Sequence, residues 1–123
     1  IPGLKELLAA VKKSSSKGYI KGIDGRKIHV DASFKALNYL LQGSAGIVAK
    51  KWLVLANKAA ESIPDTHQLA FVHDELQYEA PAHLARTLAS SLVLSAEKAG
   101  TYYNLRVPIA AEAKIGDSWA KVH

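Results

Sequence analysis

Apolar residues recur at three- and four-residue spacing in three stretches of the chain and alternate with polar residues between them, predicting helices joined by short strands. Pro2 suits a first helical position, and Leu4, Leu7, Leu8 and Val11 share one face, so the first helix is read from about residue 2 to 13. The run Ser14 to Gly18 ends it. Tyr19 to Gly22 and Lys27 to Val30 flank Asp24-Gly25, a turn dipeptide in which glycine tolerates positive φ, and predict a hairpin. Asp31 or Ser33 is placed to cap the longest helix, about 34 to 62, which Pro64 stops. Its apolar residues Leu37, Leu40, Leu41, Ile47, Val48, Trp52, Leu53 and Leu55 wrap much of the way around, so burial on most sides is expected. A second hairpin lies in the stretch Leu69 to Glu79, where strand-type residues flank His73, Asp74 and Glu75. A helix over about 82 to 99 follows Pro81, with Leu84, Leu88, Leu92 and Ala96 as its inner stripe and Gly100 as C-cap. The alternation over 107 to 115 predicts a third strand, and Gly116 to Trp119 turns the chain towards its last residues. Three strands with helices segregated to one face make an α+β fold with a small antiparallel sheet packed on long helices.

The length of 123 residues allows one domain with a modest core. No apolar run approaches the roughly 18 residues of a membrane span, and no signal-peptide pattern opens the chain. Nothing points to export or to a membrane partner, so the cytoplasm is the expected compartment. Cysteine is absent, which excludes disulfides and thiolate metal sites. Methionine is absent too and Ile1 begins the chain, so a part of something longer is expected.

The net charge of +5 is unevenly placed. Residues 1 to 60 carry eleven Lys or Arg against three acids, and residues 61 to 123 carry five against eight. A basic half can meet phosphates and an acidic half can hold metal ions, a division suited to an enzyme acting on nucleic acid, although lysines also keep helices soluble.

Three clusters carry candidate chemistry. Asp74 and Glu75 adjoin at a hairpin tip, where two touching carboxylates raise each other's pKa unless a cation neutralises them; oxygen ligands of this kind suit magnesium. The plain alternative is a solvated turn. Lys21, Arg26, Lys27 and His29 make the first hairpin basic, fit either to rest on a phosphate backbone or to serve as a soluble edge. Asn38 and Gln42 stack four apart on the long helix, just before the small residues Gly43 to Gly46. They can either bond neighbouring backbone or read acceptors in a minor groove without much sequence preference.

Four stretches in this order resemble the carboxyl-terminal end of the polymerase domain of family A DNA polymerases, and within that family the replicative enzymes of short-tailed bacteriophages. They are Gly22-Ile23-Asp24-Gly25-Arg26-Lys27-Ile28-His29-Val30, then Ala36-Leu37-Asn38-Tyr39-Leu40-Leu41-Gln42-Gly43-Ser44-Ala45-Gly46, then Val72-His73-Asp74-Glu75, and last Gly116-Asp117-Ser118-Trp119 with His123. The resemblance implies that residues 1–123 are palm, with the end of the fingers region at 1–18, and that the His-Asp-Glu hairpin is motif C. Asp74 would bind two magnesium ions, about 4 Å apart, jointly with a motif A aspartate. Those ions would activate the primer 3′-hydroxyl and steady the leaving pyrophosphate. Glu75 would be a supporting carboxylate and His73 would contact the primer terminus. Asn38 and Gln42 would track the minor groove of the primer-template.

The departures are as informative. Phe34 stands one turn before Asn38, where relatives carry a basic or imidazole group. The chain holds neither motif A nor the fingers helix with its nucleotide-binding Arg, Lys and Tyr, and one aspartate cannot hold two metals. The resemblance therefore implies a carboxyl-terminal fragment or split subunit, inactive by itself. It would act on primer-template DNA and dNTP with a polypeptide or region bearing the exonuclease-like, thumb and fingers parts. The alternatives are a non-catalytic double-stranded DNA-binding module and a metal-dependent nuclease, for which few carboxylates converge. Apolar faces that would pack on the missing parts predict self-association.

Overall fold

The computed structural model describes all residues from Ile1 to His123 and divides into two compact units, 1–47 and 48–123. In order, the elements are helix α1 (Leu4–Ser15), strands β1 (Tyr19–Lys21) and β2 (Lys27–His29), helix α2 (Ala36–Ala60), strands β3 (His67–Val72) and β4 (Glu75–Glu79), helix α3 (Ala85–Tyr102) and the short helix α4 (Trp119–Val122). Single 3-10 turns at Ser33–Lys35 and Ala82–Leu84 lead into α2 and α3.

In the first unit β1 and β2 pair antiparallel, Tyr19 against His29, Ile20 against Ile28 and Lys21 against Lys27. The alternation turns Ile20 and Ile28 inward, where they join Val11 of α1, Val30, Ala36, Leu37, Tyr39 and Leu40 in one apolar cluster. Gly25, with φ of 84°, provides the reversal that Asp24-Gly25 predicts, and the Asp24 carboxylate accepts the Arg26 N–H at 3.1 Å. Gly43 matters for closeness: a Cβ there would lie 2.9 Å from Cδ1 of Ile28, so the tip of that side chain would have to shift. Asp31 does not cap a helix with its side chain. It accepts hydrogen bonds from Lys35 Nζ at 3.1 Å and Tyr39 OH at 3.2 Å, clamping the entry to α2 from outside.

In the second unit β3 and β4 form a hairpin whose register runs from Val72 opposite Glu75 to His67 opposite Glu79, with a slip between Gln68 and Ala70 that leaves Leu69 as a bulge. Tyr78, Ala80, Leu84 and Leu92 pack on the buried Ala60, Ile63 and Leu88. The Trp52 indole N–H donates to the Leu92 carbonyl at 2.9 Å, fastening α2 to α3.

The mixed fold of helices and small antiparallel sheets is as expected, and four details differ. The two hairpins stand as two separate two-stranded sheets in place of one small sheet. The segment expected as a third strand, 107 to 115, lies in no sheet, because alternation supplies a strand's side chains but not its partner. Gly100 does not cap α3: it is buried inside the helix, and a Cβ on it would meet Cγ1 of Ile109 at 2.7 Å, so it serves close packing. Helix α2 is far from buried all round, with Leu41 57% and Val54 59% exposed, while small residues such as Ala36, Ala56 and Ala60 face inward. Nowhere in the chain is a large side chain wholly enclosed.

Candidate nucleic-acid and metal-binding residues

The tip of the β3–β4 hairpin is the two residues His73 and Asp74. So short a reversal needs left-handed backbone, and His73 adopts it with φ of 56°, a conformation histidine enters more readily than most side chains. The consequence is that His73 and Asp74 both stand exposed at the apex. Ion pairs in the chain join Arg26 to Asp24, Lys35 to Asp31 and Lys121 to Asp117, the His123 imidazole lies beside Glu75, and Asp74 is in none of these contacts. Its carboxylate is free to take a ligand.

Glu75 is placed differently. Its Oε2 lies 3.3 Å from His123 Nδ1, and the imidazole leans on the Trp119 ring with centroids 5.7 Å apart. Gly116 lets the last turn fold this tightly, since a Cβ there would come within 2.9 Å of the Lys121 Cβ. The two adjacent acids are thus separated in role, one open and one held by the chain's end. Nothing in the spacing of the sequence pairs His123 with Glu75; only the folded backbone does.

The base of the hairpin is tied to α2. Tyr78 OH donates to Asn57 Oδ1, and Asn57 Nδ2 donates to Gln68 Oε1 at 3.0 Å. Burial pushes the Tyr78 phenol pKa up. This triad, unmarked by any motif, fixes the direction in which the apex points.

As for magnesium, no group of three or more His, Asp or Glu side chains converges anywhere in the chain. With Glu75 engaged by His123, the chain's own donors do not complete the six oxygen positions a hard cation requires.

In the first unit, the outer face of the β1–β2 hairpin carries Tyr19, Lys21, Lys27 and His29. Lys21 and Lys27 are direct cross-strand partners, an arrangement of like charges that repels unless an anion lies between them. Lys27 Nζ rests 4.7 Å above the Tyr19 ring, whereas the Arg26 guanidinium lies 3.3 Å from Asp24 and is partly neutralised. Asn38 and Gln42 are exposed on α2 in line with Phe34, Leu41 and Ala45, which are also exposed. Neither amide makes an internal side-chain hydrogen bond among those of the chain, which leaves both available to a partner.

The chain matches the profile described as DNA polymerase family A over residues 2–121. The DNA-directed DNA polymerase of Escherichia phage Phieco32 is 33% identical over 99% of this chain and 21% of its own length. That of Escherichia phage T7 is also 33% identical, over 85% of this chain and 16% of its own length. Among solved structures, the polymerase domain of Pol1 from M. smegmatis, in complex with DNA primer-template and dNTP, superposes with a TM-score of 0.75 at 25% identity, over 87% of this chain and 21% of that one. The chain belongs to DNA polymerase family A. It spans about a fifth or less of the length of the curated relatives it matches.

Proposed function

We propose that residues 1–123 are the carboxyl-terminal palm portion of a DNA-directed DNA polymerase, with the end of the fingers region at 1–18, and that they contribute the motif C aspartate, Asp74, to template-directed nucleotidyl transfer. The observation that carries this reading is the carboxylate of Asp74, exposed and unpaired at a hairpin apex, in a chain of this family. A second aspartate, from outside the 123 residues, would share magnesium with it, since the donors present fall short. Glu75, held by His123, acts as a supporting carboxylate, and His73 faces the primer terminus from the same apex. Asn38 and Gln42 track the minor groove of the primer-template, while Lys21, Lys27 and, more weakly, Arg26 hold its phosphates.

The rest of the polymerase domain, contiguous or supplied by another polypeptide, completes the enzyme that binds dNTP. Mixing or joining this chain with that remainder creates magnesium-dependent primer extension, and Asp74→Ala abolishes it while leaving duplex binding intact. Extension that survives Asp74→Ala refutes the assignment. A second reading, a non-catalytic double-stranded DNA-binding module, draws on the facing pair Lys21 and Lys27. Salt-sensitive duplex binding by the chain, with no extension in the assembled domain and no response to magnesium or to Asp74→Ala, favours it.

A further inference from the structure

Of the β3 and β4 side chains, Tyr78 is the one that packs in the apolar cluster of Ala60, Ile63 and Leu88. Two polar ties accompany it, one from Glu75 to His123 near the apex and one to Asn57 at the base. The tie at the base is built in a particular way. Gln68 and Tyr78 are cross-strand partners, and the single amide of Asn57 engages both: its Oδ1 accepts the Tyr78 O–H and its Nδ2 donates to Gln68 Oε1 at 3.0 Å. One side chain of α2 therefore grips both strands at one rung. That rung adjoins the bulge at Leu69, and from there Ala70 to Val72 pair without interruption with Gln77 to Glu75 up to the apex. Packing alone asks only for the ring of Tyr78, which phenylalanine would supply; the hydroxyl and the Asn57 amide add direction.

Direction at the base is amplified at the tip. Asp74 stands four residues from Tyr78 along the chain, roughly 13 Å at the rise of a strand. A swing of about 5° at the base carries a point at that radius through roughly 1 Å. A misplacement of about 1 Å can cost on the order of 100-fold in rate, and magnesium accepts oxygen ligands only near octahedral positions. We propose that Asn57 and Tyr78 are positioning residues for nucleotidyl transfer: the Asn57 amide locks both strands at the base of the hairpin, and the lock holds the Asp74 carboxylate where magnesium can be shared. This rests on reading Asp74 as the motif C aspartate.

Primer extension by this chain joined to the rest of the polymerase domain tests the proposal, at a temperature where unfolding curves show every variant folded. Tyr78→Phe keeps the ring and Asn57→Leu keeps the bulk, and each loses the bond between the two residues. Each should lower kcat by on the order of 10- to 100-fold, with KM for dNTP and duplex affinity unchanged within about twofold. Asn57→Asp offers an acceptor both to the Tyr78 hydroxyl and to a turned Gln68 amide, and should recover most of the rate lost in Asn57→Leu. Tyr78→Phe added to Asn57→Leu should cost nothing further, because the shared bond is already gone. Ile63→Val loosens the same apolar cluster and should lower stability while leaving kcat unchanged. Wild-type kcat in Tyr78→Phe and Asn57→Leu, with extension still abolished by Asp74→Ala, overturns the positioning role and leaves the functional reading standing. Extension that survives Asp74→Ala overturns both. Three other results also overturn the positioning role: Asn57→Asp as slow as Asn57→Leu, additive losses in the double variant, or a fall in kcat for Ile63→Val equal to that for Tyr78→Phe.

Discussion

At the scale of single residues, the tip of the second hairpin shows how a neighbour decides what a carboxylate does. Asp74 and Glu75 are alike in the sequence, and the chain's end occupies only Glu75. The open position of Asp74 was legible beforehand, since a two-residue reversal forces its apex into solvent. The partner of Glu75 was not, because it depends on where the backbone carries His123. Tyr78 permits a sharper test. Tyr78→Phe removes the hydrogen bond to Asn57 and should cost about 1 kcal/mol in urea unfolding. Burial raises the phenol pKa in the folded state. Above the unfolded value of about 10, the unfolded chain has therefore lost a proton that the folded chain keeps, and stability falls as pH rises. Tyr78→Phe should flatten that alkaline decline, as read from urea midpoints at successive pH values.

At the scale of elements, both hairpins were readable from turn chemistry and alternation, and the helices from their apolar stripes. What failed were inferences about partners. Gly100 carries the signal of a helix end, yet Ile109, nine residues on, needs the space a side chain would fill. Gly100→Ala should therefore destabilise the chain by about 1–3 kcal/mol, and Ile109→Ala in the same chain should recover part of the loss; two additive penalties would show that the contact does not govern. The long helix was expected to be enclosed because its apolar residues circle it, but its buried positions are only Ala36, Val48, Ala56 and Ala60. On the first hairpin, the facing Lys21 and Lys27 and the Asp24-neutralised Arg26 should differ in duplex binding. Lys21→Ala and Lys27→Ala should each lower the slope of log affinity against log salt by about one, and Arg26→Ala by less.

At the scale of the whole molecule, each unit leaves large apolar side chains in water: Phe34 is 84% exposed in the first and Val107 73% in the second. Self-association is the expected outcome. Sedimentation velocity of the chain alone should show species heavier than the 13.2 kDa monomer, and addition of the rest of the polymerase domain should disperse them. A single monomeric boundary across concentrations would remove this expectation. No helix here is long and apolar enough to cross a membrane. An interior with no large side chain wholly enclosed also has a calorimetric consequence. Little hydrocarbon is hydrated when such a chain melts, so its heat-capacity increment should fall below the customary 12–15 cal/mol/K per residue. Its thermogram should be shallow and drawn out until the remainder of the domain closes over it.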